Sequence, residues 1–106
     1  YSGIAAWEQR VQAFGHGERT DLDAESALAI ARDAESIVVA DVSATHLPGL
    51  QQGSAVTVTP EDYGSVPVAG ELVRLTGRDI AIRRTDSRAG DVVVHFPRAG
   101  YRVESV

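Results

Sequence analysis

Apolar positions recur along this chain with two different periods, and the period changes about halfway. Ile4, Trp7, Val11 and Phe14 are spaced by three, four and three residues, which predicts a helix carrying one apolar stripe. Glu8, Gln9, Arg10 and Gln12 fall on its other side. Gly15 and Gly17 end it, because glycine tolerates the left-handed backbone that closes many helices. His16, between them, reads as a capping or surface histidine near a helix carboxyl end, where positive charge is favoured. The alanine-rich run "AESALAIARDA" from Ala24 predicts a second helix with a modest apolar face that includes Leu28 and Ala31. Thr20 and Asp23 have capping-box spacing, with aspartate in place of glutamate.

Ile37 to Val39 fit a short strand or a segment covering the core. Pro48, Gly49 and Gly53 mark a loop, and a boundary is expected there, between a helical segment at 1–46 and a β domain at 47–106. Beyond it the period is two. "AVTVTP" alternates strictly and stops at Pro60. "PVAGELVRL" predicts a second strand, with Gly70 a bulge or bend. Thr76 to Asp79 form a turn, "IAIRRT" a third strand, and Asp86 to Gly90 a hairpin loop. "DVVVHF" is the fourth strand and "YRVESV" a short fifth. The expected fold class is α+β: two N-terminal helices, then a small antiparallel β-barrel or curled sheet of about five strands. Its core should include Val56, Val58, Leu72, Ile80, Ile82, Val92, Val94 and Phe96.

Composition narrows the chemistry. The 106 residues contain no cysteine, so there is no disulfide framework and no thiolate nucleophile. They also contain no methionine and begin at Tyr1, which suggests a piece of a longer protein. All ten basic residues are arginine, a usage that suggests a GC-rich bacterial source. Through His46 there are eight acidic and three basic residues; from Leu47 onward there are seven of each. Neither half concentrates positive charge, so no nucleic-acid partner is expected. No apolar run approaches the roughly 20 residues that span a bilayer, and no membrane partner is expected.

Candidate chemistry is sparse. Asp21, Asp23 and Glu25 resemble an acidic cluster, but at a helix amino end such charge complements the macrodipole, so no metal is expected there. In "VVVHFPRAGYRV", Val92, Val94 and Phe96 share one strand face and Val93 and His95 the other. Apolar residues on both faces suggest a central strand or one closed into a barrel. Pro97 ends its pairing and Gly100 turns the chain. The functional alternative is a ligand site where His95 and Arg98 converge with Tyr63 or Arg84, able to hold an anion or move a proton. "DYGSVPVAG" adds a turn in which Tyr63 could cover the barrel end. No HxxxH, GxSxG or phosphate-loop pattern pairs a nucleophile with His95, and no catalytic residue is assigned.

"YSGIAAWEQRVQAFGHG" resembles the tail of the helical domain of bacterial glutathione S-transferase-like proteins, where an "AW" pair, an arginine and a closing "GHG" recur. "VTVTPEDYGSVPVAGEL", "IAIRRTDSRAG" and "VVVHFPRAGYRV" are similar to an extra C-terminal extension that some of these proteins carry. The resemblance covers most of the chain. It implies a cytoplasmic parent that uses glutathione on an N-terminal thioredoxin-like domain bearing the catalytic residue. Nothing in this sequence corresponds to that domain, so no catalytic residue carries over. Trp7 and Arg10 match the family's late helix, where packing is their implied role. The implied partner is the rest of the parent chain, with a homodimer as a further expectation. Three functions stay open: a non-catalytic accessory domain of such a protein, an independent binding module, and a small enzyme using His95. The resemblance and the missing methionine favour the first.

Overall fold

A computed structural model describes residues 1–43 and 47–106. The expected boundary at 46/47 therefore has one side outside the described residues.

Helix α1 (Ser2–Gln12) forms where the three-and-four spacing predicts, and Gly15 closes its end at φ 64°. Every residue of α1 is exposed. Trp7 retains 58% of its surface and Phe14 86%, so the apolar stripe is bare. Helix α2 (Ala24–Asp33) is capped by Asp23, whose carboxylate accepts the Ser26 N–H at 2.7 Å. The cap is thus Asp23 itself rather than a box opened by Thr20. Arg32 of α2 donates to the Arg88 carbonyl, and Glu25 lies 3.8 Å from Arg88, which brings α2 to the end of a hairpin.

Six strands follow among the described residues: β1 (Asp41–Val42), β2 (Ala55–Pro60), β3 (Val68–Leu75), β4 (Asp79–Asp86), β5 (Gly90–Pro97) and β6 (Tyr101–Ser105). They form one sheet in the order β5-β4-β3-β2-β6, and β1 adds a short parallel pairing to β3. The remaining neighbours are antiparallel. This corrects the expected fold class. The sheet has six strands, and it is open: among the described residues β5 and β6 share no ladder. Only three residues separate them, so their ends meet at one corner, where the Phe96 and Tyr101 rings lie 5.2 Å apart. The expected stop at Pro97 is not where pairing with β4 ends: Pro97 still pairs with Asp79, the chain then turns, and β6 pairs with β2 instead. The strand taken as central from its valines is therefore an edge.

Val56, Val58, Leu72, Ile80 and Ile82 are fully buried, with Leu75 and Val103 completing the core. Val94 and Phe96 pack against it only partly buried, and Val92 is half-buried outside it, as an edge strand dictates. Ile37 and Val39 belong to no strand and are 93% and 74% exposed. The radius of gyration is 18.6 Å, against about 13 Å for a compact domain of this length, because α1 stands away from the sheet.

Candidate functional site

The four expected ligand residues lie at four different places. His95 sits on β5 opposite Ala81 of β4, whereas Arg84 of β4 stands opposite Val92. Side chains alternate along a strand, so His95 and Arg84 project from opposite faces of the sheet. Arg98 occupies the β5–β6 corner. Its N–H donates to the Arg78 carbonyl at 2.8 Å, and its guanidinium donates to the Tyr101 carbonyl at 3.1 Å. These bonds make it a staple of the turn. Tyr63 lies in the turn between β2 and β3 and is 95% exposed, so it covers nothing among the described residues. No hydrogen bond joins any two of the four among the described residues.

Among the described residues, Arg84 carries the one buried side-chain polar atom without a hydrogen-bond partner, its Nε. It borders an open hollow of about 460 Å³, whose other walls include Ala55, Ala69, Gly70, Thr85 and Val106. Those walls are small and mostly apolar. A second hollow of about 290 Å³ lies between the chain following α2 and the β4–β5 hairpin, bordered by Arg32, Glu35, Arg83 and Asp91.

The most connected polar cluster is one that strand patterning does not reveal. Arg74 of β3 donates from Nε to Asp79 at 2.8 Å and from Nη1 to the Val39 carbonyl at 3.1 Å. Its Nη1 also lies 4.0 Å from Asp41. Thr76 donates its hydroxyl to the same Asp79. The cluster closes the β3–β4 turn and ties the segment leading into β1 across the sheet. Its signal in the sequence is the turn "TGRD", where a threonine and an aspartate three apart bond locally.

The Thr76 hydroxyl and the Arg74 guanidinium hold the Asp79 carboxyl below its ordinary value of 3.8. A folded-state value below the unfolded one contributes stability above the unfolded value, and that stability is lost as pH falls through the folded one. Asp79→Asn should therefore flatten the loss of stability on acidification from 3.8 downward. Urea midpoints from roughly pH 6 to 2 check this; parallel curves for both proteins would refute it.

The acidic residues near α2 have local uses as well. Asp23 caps the helix, and the Ser26 N–H holds its carboxyl below the usual carboxylate range. Among the described residues no group of three or more acidic or histidine side chains is arranged to hold a metal. No described helix is long and apolar enough to cross a membrane.

No family model matches the chain, and no curated protein does. A solved structure does: a GST-like protein from Pseudomonas syringae, superposing with a TM-score of 0.85 at 39% sequence identity. The match covers 99% of this chain but 38% of that protein. The chain is thus similar, over nearly its whole length, to part of a GST-like protein.

Proposed function

We propose that this chain is a non-catalytic accessory region of a glutathione S-transferase-like protein. The observation that supports it most is the contrast between its two parts. The sheet has a core of its own, yet Ile4, Trp7 and Val11 of α1, with Phe14 just past its end, are bare apolar side chains. An apolar stripe of that kind usually marks an interaction surface. Here it would dock on the remainder of the parent, and the sheet would support that body, cover its cleft or bind a partner. Glutathione would belong to the parent, in the cytoplasm, and not to this region. The polar residues fit this role: Arg98, Arg74, Thr76 and Asp79 bond within the sheet, and none is paired with a nucleophile.

The chain should show no glutathione binding by calorimetry and no conjugation of glutathione to a general electrophile above the buffer rate. Turnover by the chain alone that disappears in His95→Ala would overturn the proposal and make His95 catalytic.

A further inference from the structure

Strand β5 is an eight-residue edge, "GDVVVHFP", and among the described residues its only ladder is with β4. Edge strands of this length and composition are templates for pairing, and proteins usually shorten or charge them. The other edge, β6, has five residues and spends its charges internally, with Arg102 3.1 Å from Glu104. On β5 the exposed acid is confined to Asp91 near the hairpin and the proline to Pro97 at the far end, which leaves the valines between them bare of charge.

The direction of its free groups follows from the corner. The Arg98 N–H reaches Arg78, which continues the β4–β5 ladder by one pair beyond Asp79 and Pro97. Inward and outward groups alternate along an antiparallel strand. The N–H and C=O groups of Asp91, Val93 and His95 therefore point away from β4. Pro97 falls in the same outward set, the position where a proline costs no ladder bond.

We propose that this edge pairs antiparallel with the β5 edge of a second copy of the chain, about a two-fold axis at Val93. That register sets Val93 opposite its own copy and Val92 opposite Val94 of the second copy. It also sets Asp91 opposite the second copy's His95, and the converse. All three outward residues then exchange backbone bonds, and the two half-buried valine rows join into one apolar face. The incoming imidazole arrives beside the hollow of about 290 Å³ next to Asp91, which Glu35, Arg32 and Arg83 also border. Asp91 already accepts the Thr85 hydroxyl at 2.6 Å, which fixes its carboxylate and leaves the other oxygen for the histidine. Helix α2 packs on β5 with Arg32 beside Gly90, and the chain after it borders Asp91 and Val92.

Sedimentation equilibrium of the chain tests this. The wild type should dimerise. Val93→Pro removes an outward N–H while sparing the β4 ladder, and should give a monomer with an unchanged far-ultraviolet spectrum. His95→Asp sets like charges opposite each other twice and should weaken the dimer about tenfold, whereas Asp91→His with His95→Asp should restore it. If Val93→Pro fails to fold, wild-type amide exchange decides: the Asp91, Val93 and His95 amides should slow as concentration rises. A wild type that is monomeric throughout would overturn the proposal. So would a dimer that survives in a folded Val93→Pro, a charge swap without rescue, or concentration-independent exchange. Association lost in Trp7→Ala but not in His95→Asp would place the contact on α1, which equally overturns the pairing of β5 edges.

Discussion

Ile82→Ala should lower the stability of the sheet by about 2–5 kcal/mol, a large share of the roughly 5–15 kcal/mol typical of a small domain. Ile82 is fully buried at the middle of β4, between Leu72 of β3 and Val94 of β5. It therefore touches both halves of the ladder that builds the core. The β3 side cannot readily collapse into the space, because the backbone at Gly70 already rests against the Ile82 side chain. α1 contributes no buried residue, so nothing in that helix offsets the loss. Urea unfolding followed by far-ultraviolet dichroism checks the value. A change well under about 1 kcal/mol would mean that the core is organised around other residues. The same measurement on Ile4→Ala is its control: that residue is exposed, and its truncation should leave the stability within about 0.5 kcal/mol.

The same residues show what the sequence makes legible. Strict alternation at Val56 and Val58 and at Ile80 and Ile82 places each strand within a residue or two of its observed bounds. With Leu72 of β3, it also names five of the fully buried side chains. Alternation fails at Leu75. Counting by two from Leu72 turns Arg74 inward and Leu75 outward, yet Leu75 is fully buried. The cause is a shift in the β3–β4 register between Leu72 and Arg74, where an extra residue reverses the faces. No residue type in "ELVRL" announces that bulge. β5 misleads for another reason. Three consecutive valines look the same whether a strand is central or at an edge, and only the pairing partners decide. β1 is too short to have a period at all.

The candidate site divides along similar lines. His95, Arg98, Tyr63 and Arg84 carry the right chemistry one by one, but residue type does not say that they share a face or a strand end. In an open sheet the face of each residue and the distance along the strand decide. Arg74 is hard to single out because its partners come from three places: Val39, Asp41 and Asp79. Local spacing exposes only the last of them.

Gly70→Val should destabilise the sheet by about 1–3 kcal/mol, and for a reason unlike that of Ile82→Ala. The sequence marks Gly70 as a bulge or bend, but the bulge lies at 72–74 and Gly70 pairs regularly with Val56. What the position requires is the absence of a side chain. A Cβ there would stand 2.7 Å from the Arg83 carbonyl oxygen and 3.0 Å from Cδ1 of Ile82. The side chain could turn away, but the carbonyl belongs to β4, so β3 and β4 would have to separate locally. That same approach packs β3 over Ile82 and closes the core at this end of the sheet. Valine favours strands and would stabilise an open position, so the sign of the change separates the two accounts. Gly70→Ala should already show most of that loss, because the first carbon makes the clash. Thermal and urea unfolding of both variants give the test. Equal or raised stability in Gly70→Ala would show that β3 and β4 lie further apart in solution than this close approach requires.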